Sequence, residues 1–136
     1  MEIYFPMTAD ILTVGHVRCI EYLSKQGYVT IGLLTDEALK GYKKNIVPFK
    51  DRKYIMDTIA MAIGADVVPQ DTLDPSKNIR KYKSDAIASG DGWEKVEVNA
   101  IRKYRLKKID IKFKGEKGKR GEKNKLYSSS KLKEKL

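Results

Sequence analysis

What constrains this chain most is an alternation: short apolar runs of strand character are separated by stretches in which apolar residues recur at helical spacing. Ile3-Tyr4-Phe5-Pro6-Met7 reads as a buried strand that runs into a turn at Thr8-Ala9-Asp10. From Val14, the residues Val17, Ile20 and Leu23 recur every three positions up to Gly27, which predicts a helix with a glycine stop. Tyr28 to Leu34 is again apolar and rich in β-formers, and Thr35-Asp36 breaks it. Strand, helix, strand in that order is a βαβ unit, which pairs its strands in parallel through a right-handed crossover. Lys40 to Lys50, with Gly41, Pro48 and four lysines, reads as a loop. Asp51 is placed to cap a helix whose expected apolar face is Ile55, Ile59, Ala62 and Ile63, ending at Gly64. Asp66-Val67-Val68 predicts a strand closed by Pro69, and Asp74-Pro75 opens a helix through Tyr82. Asp85 to Ser89 predicts a strand that ends at Gly90-Asp91-Gly92. Glu94 to Tyr104 predicts a helix, Lys108 to Phe113 a last strand, and Ser129 to Leu136 a closing helix. The expectation is one Rossmann-like α/β domain over residues 1–136, a five-stranded parallel sheet with helices on both faces.

At 136 residues the chain has room for one such domain and no more. No stretch approaches the ~18 uninterrupted apolar residues of a membrane span, and Met1 to Thr8 lacks the basic leader of a signal peptide. The single cysteine, Cys19, excludes an internal disulfide and a Cys-based zinc site, so a reducing, cytoplasmic setting is expected. The net charge of +10 is unevenly placed: residues 1–101 carry 13 Lys/Arg against 14 Asp/Glu, and residues 102–136 carry 15 against 4. A basic tail of this kind fits a nucleic-acid arm, a solvated face, or a site for highly charged phosphates, and composition does not choose among them.

In an open parallel sheet, ligands bind beyond the carboxyl ends of the strands. The unusual residues collect there. The first strand continues through Thr8-Ala9-Asp10 to Thr13-Val14-Gly15-His16, which puts the only histidine in the first turn of a helix. Free N–H groups and the helix dipole favour an anion at that position, Gly15 permits close approach, and an imidazole can donate to a phosphate oxygen. A plain surface or capping histidine is the alternative.

The run from Met7 to His16 (MTADILTVGH) resembles the G-T-F-D-x-x-[HT]-x-G-H signature of nucleotidyltransferases related to glycerol-3-phosphate cytidylyltransferase. Thr35-Asp36-Glu37 is similar to that family's S-T-D-E, Asp51-Arg52-Lys53 to its H-R-K, and Gly90-Asp91-Gly92-Trp93 to its G-D-D-W. Ser128 to Lys133 (SSSKLK) resembles the end of R-T-E-G-I-S-T-T-K-I-K. Five segments, in order, cover nearly the whole chain.

The resemblance implies attack by an acceptor's phosphate oxygen on the α-phosphorus of CTP, with loss of pyrophosphate and no covalent intermediate. By it, His16 stabilises charge at the α-phosphate and Thr13 touches the same triphosphate, above backbone groups of Thr8, Ala9 and Asp10. Lys43 and Lys44 stand where the family places a triphosphate-binding lysine, Lys44 being assigned the catalytic role. Arg52 is expected to face the acceptor phosphate or the triphosphate, with Lys77 as a further acceptor contact. Gly90, Asp91 and Trp93 bound the nucleoside. Lys123, Lys125, Ser128, Ser129 and Ser130, in a phosphate-binding segment over 121–136, meet the β- and γ-phosphates. Magnesium is expected with the nucleotide, no protein metal ligands are assigned, and the family commonly forms homodimers. The departures are Met7 and Ala9 for the family's Gly and Phe, Gly92 for its second Asp, and Lys123-Asn124-Lys125-Leu126-Tyr127 for R-T-E-G-I. They leave ATP open as the nucleotide, and a phosphonate, choline phosphate or another polyol phosphate open as the acceptor after glycerol 3-phosphate. The rivals are an ATP-dependent adenylyltransferase, a catalytically weakened nucleotide-binding regulator, and a basic nucleic-acid-binding module. Against the last, the tail offers only Tyr104, Phe113 and Tyr127 for stacking.

Overall fold

The computed structural model describes residues 1–90 and 94–111. Along them the chain runs β1 (Glu2–Met7), α1 (Val14–Ser24), β2 (Tyr28–Leu34), α2 (Asp36–Leu39), α3 (Phe49–Ile63), β3 (Asp66–Gln70), α4 (Ser76–Lys81), β4 (Ala86–Ile87), α5 (Glu94–Tyr104) and β5 (Lys107–Lys108). All five strands are parallel, in the order β3-β2-β1-β4-β5. The order reverses between β1 and β4, and that junction is where a parallel sheet opens a crevice at its carboxyl edge.

The two-residue period of β1 divides the core. Ile3, Phe5 and Met7 point to one face, where they join Val29, Ile31 and Leu33 of β2, Ile20 and Leu23 of α1, and Met56 and Ala60 of α3. Tyr4 points to the other face and packs with Ile79 of α4, Ile87 of β4, Ala100 of α5 and Leu106. Helices therefore cover both faces, as a parallel sheet requires. Each fully buried Ile, Leu or Met contributes roughly 1.5–3 kcal/mol through removal from water.

Several local expectations are corrected. Helix α3 begins at Phe49 with Pro48 as its N-cap, so Asp51 lies inside the first turn and does not cap it. Its buried stripe is Arg52, Met56 and Ala60, with Ile59 and Ile63 half-buried, while Ile55 and Ala62 face outward. Gly64, at φ 93°, ends the helix in the left-handed cap. Gly27 does not play that part for α1, which ends at Ser24. Glycine is needed at 27 because a side chain there would collide with the Met1 carbonyl. Strand β3 passes through Pro69, which an edge strand tolerates because no further ladder bond is required of it. Strand β5 is Lys107–Lys108, so the expected strand over 108–113 does not continue through residues 109–111, while residues 112–113 and the closing helix over 129–136 lie outside the described residues.

Candidate active site

After β1 the chain turns sharply through Ala9, a buried residue at φ 55°. A left-handed alanine costs of order 1 kcal/mol, and here it sends the chain toward the N-terminus of α1. Thr13 is the N-cap of α1, and His16 stands at the third helical position. The Thr13 N–H donates to His16 Nδ1 at 3.0 Å, and the Thr13 hydroxyl lies 3.1 Å from the same nitrogen. An Nδ1 that accepts a backbone N–H carries no proton of its own, so the neutral ring holds its proton on Nε2. Burial, and then the charge of Lys43, lower the His16 pKa below its ordinary 6.5. The imidazole is therefore neutral at neutral pH, with one defined donor.

Asp10, in this turn, accepts from the Ile46 and Val47 N–H groups and so brings the lysine loop against it. Lys43 is half-buried and Lys44 exposed, so Lys43 is the nearer of the two to the histidine in its electrostatic effect. The loop borders an open hollow of ≈ 440 Å³ lined by Asp36, Lys40, Lys43, Lys44 and Tyr42 among others. Its shape is fixed from behind. Asp10, buried, accepts the N–H groups of Ile46 at 2.9 Å and Val47 at 2.7 Å. Asp36 accepts from the Asn45 amide at 3.1 Å and from the Phe49 N–H at 3.1 Å. Burial pushes the Asp36 carboxyl up, but its bonds from Arg52, Phe49 and Asn45 outweigh that, and its pKa lies below the ordinary carboxylate value.

Arg52 differs most from expectation. It is fully buried, and its guanidinium reaches the Thr8 and Leu34 carbonyls at 2.7 Å each, the Val47 carbonyl at 2.9 Å and Asp36 at 2.8 Å. The Phe49 ring centroid lies 5.6 Å away. These partners are the chain's own backbone and a carboxylate, so the fork ties the ends of β1 and β2 to the lysine loop and is not turned outward toward a phosphate. Lys77 lies exposed in the first turn of α4.

Gly90 is half-buried beyond β4, on the other side of the strand-order reversal. Its neighbour Ser89 donates to Glu97 of α5, a buried carboxylate that also meets Lys108 at 3.5 Å. Asp91, Trp93, Lys123, Lys125, Ser128, Ser129 and Ser130 lie outside the described residues. Thr8, Ala9, Asp10, Thr13, Gly15, His16 and Lys43 are brought to the carboxyl edge of the sheet. Asp36, Asn45 and Glu97 carry no sequence signal that marks them as part of this framework, because their partners (Arg52 for Asp36, Asp36 and Val47 for Asn45, Ser89 and Lys108 for Glu97) are joined to them only by the fold.

Comparison with curated protein sequences returns no significant match. Among solved structures, the chain is similar to a lipopolysaccharide core biosynthesis protein from Thermoplasma volcanium GSS1. The two share 18% identity over 83% of this chain and 98% of that one, at a TM-score of 0.63, a likeness of fold. The family model described as Cytidylyltransferase-like matches residues 4–135, from the first strand through the lysine loop and the strand-order reversal to the basic tail. With nearly its whole length matched, and with His16 at the head of α1 beneath that loop, the chain belongs to the Cytidylyltransferase-like family of nucleotidyltransferases.

Proposed function

We propose that the protein transfers CMP from CTP to a small phosphorylated alcohol, glycerol 3-phosphate being the first choice, and releases pyrophosphate. The observation that carries this reading is the bond from the Thr13 N–H to His16 Nδ1, which leaves Nε2–H as a defined donor at a helix N-terminus. An acceptor phosphate oxygen forms the new bond to the α-phosphorus, and the bond from that phosphorus to the bridging oxygen of pyrophosphate breaks with its electron pair. Neither step needs a side-chain nucleophile. The chain's task is to position the reactants and to meet charge as it spreads over the α-phosphate oxygens. His16 Nε2–H donates to one of them, the first-turn N–H groups of α1 add to it, and Lys43 and Lys44 neutralise the departing phosphates. Among the described residues no cluster of His, Cys, Asp and Glu could hold a metal ion. Magnesium carried by the triphosphate would neutralise phosphate charge there.

The test is a pyrophosphate-release screen that crosses CTP and ATP with phosphorylated alcohols and phosphonates. CTP with glycerol 3-phosphate is expected to give the largest signal. Release that requires ATP would move the assignment to an adenylyltransferase.

A further inference from the structure

A fully buried arginine is costly to hold, because desolvating a cation is offset only by good partners on every side. Met56, one turn along the same buried stripe, shows that an apolar side chain fits this layer. The acceptors of Arg52 show what the guanidinium adds. They come from separate segments: Thr8 O after β1, Leu34 O at the end of β2, Val47 O in the lysine loop, and Asp36 at the start of α2. Thr8 leads into the turn that delivers His16, and Val47 lies three residues beyond Lys44.

The same loop segment is also held on its other side. Asp10 takes the Ile46 and Val47 N–H groups, while the Val47 carbonyl accepts from both Arg52 Nε and the Asn45 amide, at 3.0 Å for the latter. The loop can therefore neither slide along the sheet nor turn over without breaking bonds to two charged groups. One planar, rigid fork sets the separation between the histidine turn and the lysine turn.

We infer that Arg52, with Asp36, is a positioning residue for nucleotidyl transfer, holding the Lys43–Lys44 turn in register with His16. This rests on the functional reading above. A lysine at 52 keeps the charge but is a point donor, and it cannot reach four acceptors in a fixed fork.

The experiment compares Arg52→Lys and Asp36→Asn, each alone and combined with Lys43→Ala, for kcat, acceptor KM and amide hydrogen exchange. Misplacing a charged group by about 1 Å costs up to ~10²-fold in rate. Each single variant is expected to lower kcat roughly 10- to 100-fold with acceptor KM within about threefold. Exchange at the Ile46 and Val47 amides should rise while the Ile31 and Leu33 amides stay protected. Adding Lys43→Ala should then cost far less than it does in the wild type, because the lysine is already displaced. Full multiplicative losses, or unchanged exchange at Ile46 and Val47, would overturn the inference. If Arg52→Lys does not fold, Asp36→Asn decides the matter, since that side chain is half exposed and the fork itself remains. If no nucleotide releases pyrophosphate, the functional reading fails separately. Raised loop exchange then still upholds the clamp, and unchanged exchange removes it.

Discussion

At the residue scale, His16 is defined by one backbone bond. Because the Thr13 main chain makes it, Thr13→Val keeps the tautomer and should lower kcat far less than His16→Ala, for which a loss of ~10²–10³ is expected from removing one transition-state donor. Steady-state rates for both variants check this, and equal losses would mean that the hydroxyl carries the role. The lowered pKa of His16 also ties stability to pH. The unfolded chain takes up the proton first, near pH 6.5, so stability from the neutral ring is complete above that value and is lost as pH falls through the lower folded pKa. Thermal melts from about pH 8 to about pH 5 should show the wild type losing more stability than His16→Ala. The place of His16 in the first turn of α1 was legible in the sequence, because an apolar strand, a turn and a helical period follow one another there. Arg52 was not: an Asp-Arg-Lys run reads as exposed or ligand-facing, and its carbonyl partners at Thr8 and Leu34 lie 44 and 18 residues away in sequence.

At the element scale, β2 matches its expected bounds because a clear apolar run and the Thr35-Asp36 break fix it, and α1 begins where its apolar period begins. Helix α3 is rotated from its expected face because the guanidinium holds the inner stripe at 52, 56 and 60. Tyr54 and Met61 are consequently outside, at 77% and 82% exposure. Met61→Lys should therefore change stability by no more than ~0.5 kcal/mol. Gly64→Ala, forced into φ 93°, should cost ~1 kcal/mol or more. Gly32→Ala should be worse than either, because a Cβ there overlaps the Tyr4 hydroxyl. That hydroxyl donates to Gln70 at 2.6 Å and accepts from Asn78 at 3.0 Å, and burial raises its pKa. Denaturant melts of the three variants test the ranking.

At the scale of the whole molecule, the charge asymmetry was legible and its purpose was not, since the same lysines serve nucleotide, nucleic acid or water equally well in a composition. Removing residues 121–136 separates these uses. We expect loss of CTP-induced thermal stabilisation and of activity together. A nucleic-acid arm would instead lose a salt-sensitive affinity for DNA or RNA and keep the CTP effect. Among the described residues no helix is long and apolar enough to cross a membrane. The buried fork behind the lysine loop also bears on redesign and divergence. The stretch from Ile46 to Phe49 is wired into two strand ends, whereas the exposed side chains of Lys40 and Tyr42 have room to vary. A loop transplanted from a relative would keep its geometry only if partners equivalent to Asp10, Asp36 and Arg52 travelled with it. Sequence should therefore drift at the solvent-facing positions of the first half of this loop while the second half stays locked to the scaffold.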